Sequence, residues 1–263
     1  MPPLVFPPIS TMKRQSNFGN SRASWVVISS LIVIAFLGSI ALVSHFRSRK
    51  TKLVARSLLP EMANKPQPLV RTFNGCPPQG DGGDPDLNRL KNRIDDGQFV
   101  SVPFDAVEQL EWPKTVERRH RFEWSSGDLV TVSRYEGLPL AIEGYLASSR
   151  QEGPESCNCH GADATFRDFH IWLTKNAGED RTNSIVVEMT PPVRAQHPNW
   201  ETQLLGKLVR DKRKVRVSGW LLLDPDHPDQ VGKTRGTIWE IHPIIRFEVE
   251  QNGRWVTLDD LAE

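Results

Sequence analysis

Residues 138–258 run through three strand-like segments, one helix-like segment and two further strand-like segments, each set off by turn residues. No other feature of the chain restricts its fold as much. The strands are read from apolar and polar residues alternating with period two. They are LPLAIEGYLAS at 138–148, FRDFHIWLT at 166–174, NSIVVEMT at 183–190, KVRVSGWLLL at 214–223 and TIWEIHPIIRFEVE at 237–250. WVTL at 255–258 closes a short hairpin after an Asn252-Gly253 turn. NWETQLLGKLVRDK at 199–212 reads as a helix, with Trp200, Leu204 and Leu208 on one stripe and Pro198 near its start.

Three strands, a helix and two strands is the order of the OB-fold, a five-stranded, partly open barrel. The expected fold is therefore mainly β: a five-stranded OB-like barrel with one helix between strands three and four. An irregular α/β segment and an N-terminal transmembrane helix precede it. RVSGWLLLDPDHPDQVGKTRGTIWEIHPI resembles the C-terminal signature of uncharacterised bacterial exported or membrane-anchored proteins with an OB-like domain. GDGGDPDLNRLKNR and VVEMTP are similar to other parts of that group. The resemblance spans roughly residues 74–258 and implies a fold without implying an activity.

Residues 25–46, WVVISSLIVIAFLGSIALVSHF, contain no formal charge apart from a titratable His45, and are long enough to span a bilayer as a single helix. Trp25 and the following RSRK sit where interfacial anchors belong. The run is too long and too basic at its end for an ordinary cleaved signal. The expected localisation is thus a single-pass membrane protein, with the bilayer as one partner. Five Lys or Arg residues follow the span and three precede it, which favours a cytoplasmic C-terminal domain. The basic pair in the N-terminal tail pulls the other way, so the side stays open. The chain then divides into a tail at 1–24, the span at 25–46, a linker at 47–83, a helix plus irregular strand-rich segment at 84–136, and the barrel at 137–263. Within that irregular segment, DLVTVSRY at 128–135 reads as strand-like, and Asp86 or Pro85 starts a helix.

Charge is distributed unevenly. Residues 1–63 carry eight Lys and Arg residues against Glu61, so a chain of net charge +1 leaves −6 on residues 64–263. An acidic domain has no general attraction for phosphate backbones, which argues against bulk duplex nucleic-acid binding.

Alternation along the strands assigns side chains to faces. Asp168, His170 and Trp172 share one face of the second strand, opposite Phe169, Ile171 and Leu173. Glu188 lies opposite Val187 and Met189, and Glu240 and His242 lie opposite Trp239 and Ile241. In an OB-like barrel these strands adjoin, so Asp168, His170, Glu188, Glu240 and His242 are expected on one polar, solvated sheet surface. Two imidazoles and three carboxylates are suited to acid–base work or to holding a divalent metal. A second metal candidate is the loop set Cys157, Cys159 and His160, completed by His170 or Asp163; zinc would suit it, although C-x-C-H lacks the spacing of common structural zinc sites. With Cys76 the chain has three cysteines, too few for a disulfide framework. Ligand-binding candidates are Trp172, with Trp220 and Trp239 as further aromatic platforms, and the cations Lys233 and Arg235. No G-x-S-x-G, H-E-x-x-H or phosphate-binding glycine loop is present. The leading expectation is a membrane-tethered, non-enzymatic OB-like binding module for a protein, glycan or single-stranded nucleic acid. A metal-dependent, nuclease-like hydrolase and an envelope structural or protein-interaction role, with the loop at 224–236 as contact surface, are the alternatives.

Overall fold

In the computed structural model, residues 58–60, 62 and 64–261 are described. The expected transmembrane span at 25–46 lies outside them. Among the described residues no helix is long and apolar enough to cross a membrane.

Helices and strands follow in the order α1 (Pro85–Lys91), β1 (Val100–Ser101), α2 (Phe104–Glu108), α3 (Ser126–Ser133), β2 (Pro139–Gln151), β3 (Phe169–Thr174), β4 (Ile185–Met189), α4 (Pro191–Arg194), α5 (Thr202–Arg210), β5 (Lys214–Leu223), β6 (Trp239–Gln251) and β7 (Arg254–Thr257). Five of the strands close a mixed barrel in the order β2-β3-β4-β6-β5 and back to β2. All barrel pairs are antiparallel except β4–β6, which is parallel. α5 falls between the third and fourth barrel strands and packs against β2. β1 pairs with β2 and β7 with β6 outside the closed ring.

β2 closes the ring because it serves two neighbours in turn. Residues 139–145 pair with β5, and residues 145–151 pair with β3. Gly144 sits at the changeover, where a Cβ would lie 2.4 Å from the Thr174 carbonyl oxygen; only glycine lets the strands approach this closely.

Alternation holds in β3, β4 and the first residues of β5 and β6, and is interrupted by register shifts in β2 and between β5 and β6. Phe169, Ile171 and Leu173 of β3, Ile185, Val187 and Met189 of β4, and Trp239 and Ile241 of β6 join one buried cluster with Val215, Val217 and Leu221 of β5. Each fully buried side chain of this size stabilises the fold by about 1.5–3 kcal/mol relative to exposure. α5 adds Leu205 and Leu208 to the same core, while the expected Trp200 is buried just ahead of the helix and Leu204 is only partly buried.

The segment before the barrel differs from expectation at two places. DLVTVSRY is helical rather than strand-like, because the Ser125 hydroxyl caps the amide of Asp128 and starts α3. Val102, Phe104, Ala106, Val107, Val116 and Val132 belong to the barrel core, so residues 84–136 build on the barrel rather than standing apart. Asp84 caps α1, accepting from the amides of Asp86 and Leu87 at 3.0 and 3.1 Å. Part of the expected linker is also pinned down: Val70 bridges to Arg93, and Cys76 is disulfide-bonded to Cys159.

Candidate functional site

The expected polar face exists, but it is not solvated. His170 of β3 stands directly opposite Glu188 of β4, and Val186 of β4 pairs with Glu240 of the parallel β6, with His242 two residues on. Asp168 precedes β3 on the same face. Asp168, Glu188, Glu240 and His242 are each 1% exposed and His170 is 7% exposed. The alternation correctly sends these five residues outward from the barrel core; what it cannot show is that a second layer covers them.

That layer comes from loops and from the segment before the barrel. α1 packs on the turn Ser156–Asn158 and on β6. The Asn92 amide donates to the Cys157 carbonyl at 2.7 Å, and the Asp81 amide to the Ser156 carbonyl at 2.9 Å. Gly80, at φ +69°, lies so near this turn that a Cβ would meet the Ser156 carbonyl oxygen at 2.1 Å. The Cys76–Cys159 disulfide ties the two segments covalently. Two of the three cysteines therefore form one bridge, between distant positions rather than within C-x-C, and Cys157 stays a thiol.

The bridge removes the expected loop metal set. The sulfur of Cys159 is committed to Cys76, Cys157 is a buried thiol, and His160 turns its Nε2 to the Asp81 carbonyl at 3.0 Å. His170 is held between Glu152, at 2.9 Å from Nδ1, and Glu188, against Nε2. These four residues do not converge on a common point.

The covering layer brings further charge into the face. The Lys91 ammonium lies 3.5 Å from Glu155. Arg235, 1% exposed, donates through Nη1 to Asp224 at 3.0 Å and to Glu240 at 2.6 Å. It is thus an internal ion-pair partner and not the ligand-binding residue expected. His227 Nδ1 meets Asp224 at 2.5 Å. Sequence reasoning missed Lys91, Glu152, Glu155, Asp224 and His227, since nothing in a local pattern says which loop folds over a strand face.

Burial and charge pull the groups of this cluster apart. Burial opposes ionisation of Glu188, but His170 and His242 hold its carboxyl well below the usual range. Burial likewise opposes protonation of His242, yet Glu188 and Glu240 raise it to about 9. His170 is also raised well above its ordinary value, because Glu188 and Glu152 outweigh the cost of burial. Burial, with Glu155 and Glu188 adding repulsion, pushes Asp168 up to about 7. Glu240 is raised by burial and by Asp224 despite Arg235. Burial first, and then Asp168, keep Cys157 a protonated thiol.

Not every polar atom in this cluster is satisfied. Asp168 Oδ1, Glu188 Oε2, Glu240 Oε2 and both His242 ring nitrogens are buried without a hydrogen-bond partner. His242 Nδ1 lies 3.3 Å from Glu188 Oε2 and 3.5 Å from Glu240 Oε2, which permits ionic attraction without aligned hydrogen bonds.

A different surface is open to solvent. Arg150, Trp172, Arg181, Asp229, Gln230, Lys233 and Thr234 line a pocket of about 290 Å³. The Arg150 and Arg181 guanidiniums lie 5.2 and 4.7 Å from the Trp172 ring centroid. Two expected ligand-binding residues, Trp172 and Lys233, therefore meet at one place. Trp172 is only 2% exposed, however, and Trp220 and Trp239 are 1% and 0% exposed, so none of the three offers a free ring face for stacking. No family model matches this chain, and neither a curated protein nor a solved structure matches it.

Proposed function

We propose that this protein is a membrane-tethered binding module of the OB type, and that its pocket holds an anionic group of its ligand. The barrel order β2-β3-β4-β6-β5, with α5 between the third and fourth barrel strands, supports the OB reading. The resemblance to membrane-anchored bacterial proteins and the apolar run at 25–46 support the tether. The binding site rests on one observation: three cationic side chains, Arg150, Arg181 and Lys233, line the same pocket. Arg150 is partly neutralised by Glu152 at 2.5 Å, and Asp229 by Arg118 at 2.6 Å, which leaves Arg181 and Lys233 as the principal charges. The domain as a whole is acidic, so selectivity falls to a small anion or a single anionic group rather than to a polyanion.

The buried carboxylates do not favour a hydrolase, because a substrate has no route to groups 1% exposed. The Cys76–Cys159 disulfide favours an oxidising compartment for the barrel, and with it a cytoplasmic N-terminal tail. In intact cells or oriented vesicles, a membrane-impermeant maleimide is expected to label Cys76 and Cys159 only from outside and only after reduction. Labelling from the cytoplasmic side without reduction would reverse the orientation.

The binding reading is tested by titrating the full chain in detergent with inorganic phosphate and with sulfate by calorimetry. Lys233→Ala and Arg181→Ala should each weaken binding about tenfold or more, the value of a charge-assisted hydrogen bond. Unchanged affinity in both variants, or no anion bound by the wild type, would remove this pocket as the site.

A further inference from the structure

We infer that Asp168, Glu188 and His242 form a binding site for a divalent transition-metal ion, zinc by preference. The three side chains come from the entry to β3, from β4 and from β6, and each is 1% exposed. One ligand atom from each lies within 4.8 Å of the other two. His242 Nδ1 and Glu188 Oε2 are already 3.3 Å apart. Two ligands held at about 2.1 Å around a tetrahedral zinc stand at roughly that separation.

The independent observation is the set of unpartnered atoms. Buried polar atoms in folded proteins are nearly all hydrogen-bonded, because an unpaired one costs about 1–3 kcal/mol. Here Asp168 Oδ1, Glu188 Oε2, Glu240 Oε2 and both nitrogens of His242 lack partners within one cluster. A cation held by Asp168, Glu188 and His242 gives Asp168, Glu188 Oε2 and one His242 nitrogen a coordination partner. An imidazole with carboxylate oxygens suits zinc and, after it, manganese; calcium and magnesium take oxygen ligands only.

The supporting residues also fit. His170 donates through Nε2 to Glu188 Oε1, leaving Oε2 directed at His242. Arg235 holds Glu240 Oε1, which keeps that carboxylate beside the site as a neighbour rather than a ligand. Such outer contacts orient ligands and typically change metal affinity 10–100-fold. The neighbouring set Glu155, Cys157 and Asp168 is the weaker alternative. Lys91 already neutralises Glu155, and Cys157 is held as a thiol.

The test uses the full chain, purified in detergent without chelator or histidine tag and then stripped with EDTA. Because the cluster is covered, ZnCl₂ and MnCl₂ are offered both to folded protein and during oxidative refolding. Elemental analysis after desalting should find about one zinc per chain. Co²⁺ loading should give the visible absorption of a tetrahedral nitrogen–oxygen site without a thiolate charge-transfer band. Asp168→Asn and Glu188→Gln preserve side-chain shape, and urea unfolding of each beside the wild type checks that it folds. Each should lower affinity by more than about tenfold, as should His170→Gln, while His197→Ala, at a separate imidazole–carboxylate pair, should not. Wild-type protein that stays metal-free in both arms overturns the inference. So does zinc uptake unchanged in Asp168→Asn and Glu188→Gln, or a cobalt spectrum with thiolate character, which would place the ion at Cys157.

Discussion

Replacing Arg235 with alanine is expected to lower the folding stability by about 3–5 kcal/mol. The guanidinium is 1% exposed and is the shared partner of Asp224, at 3.0 Å, and Glu240, at 2.6 Å. Removing it leaves Glu240 without its hydrogen-bonded cation and Asp224 with His227 alone, so the solvation cost of two buried carboxylates is only partly compensated. Glu240→Gln should cost less, because Arg235 keeps Asp224 and because the Glu240 carboxyl is already pushed towards its neutral form. Urea unfolding of the two variants beside the wild type gives both numbers. A loss below about 1 kcal/mol for Arg235→Ala would mean that the pair behaves like a solvated surface bridge, and that the layer over β6 opens in solution.

The second large effect is a fall in stability with rising pH, measured in chelator so that only protons occupy the cluster. His242 is surrounded by Glu188 of β4, Glu240 of β6 and Asp168 ahead of β3, with Lys91 of α1 opposing its charge. Its folded-state value is raised from 6.5 to about 9. The contribution of this group is therefore complete below about pH 6.5 and lost as the pH climbs through about 9, a change of roughly 3 kcal/mol. Asp168, raised by burial to about 7, acts in the same direction between about pH 4 and 7. The acid limb has the opposite sign. Glu152, lowered to about 2 by His170 and Arg150 against the cost of burial, contributes stability above about pH 4.5 that disappears as the pH falls. Urea midpoints should be highest near about pH 5 and decline on both sides. His242→Gln should make the decline between pH 6.5 and 9 shallower, leaving the part contributed by His170, which is also raised well above its ordinary value. A wild-type midpoint constant over that window would show that His242 is not charged in the folded protein.

The barrel was legible because each strand carries its own evidence. Phe169, Ile171 and Leu173, or Ile185, Val187 and Met189, repeat at the period of a pleated strand whatever surrounds them. Turn residues mark where one strand stops, and the helix between the third and fourth strands selects among barrel topologies. Where a local signal was ambiguous the reading failed, as at residues 126–133: their β-branched residues suit a strand, and the Ser125 cap decides for a helix. The composition of the linker left its placement undecided for a different reason. Proline, glycine and asparagine at 64–83 describe a chain without regular structure, which is compatible both with a free tether and with a segment laid down on a surface.

The site divides in the same way. Period two was enough to put Asp168, His170, Glu188, Glu240 and His242 on one side of three neighbouring strands and Trp239 on the other, where it is buried in the core rather than offered as a platform. It contained nothing about what lies above that side. The cover depends on contacts between distant positions: Cys76 with Cys159, Asn92 with Cys157, and Arg235 returning to Glu240 around a loop. A side chain's face is set by the dihedral angles of its own strand, so the sequence by itself determined the barrel and the sidedness of its charges. Solvent access is set by whichever other segment packs there. Only the tertiary structure could therefore turn an expected solvated face into a buried charge cluster, and an expected loop metal set into a disulfide-tied cover.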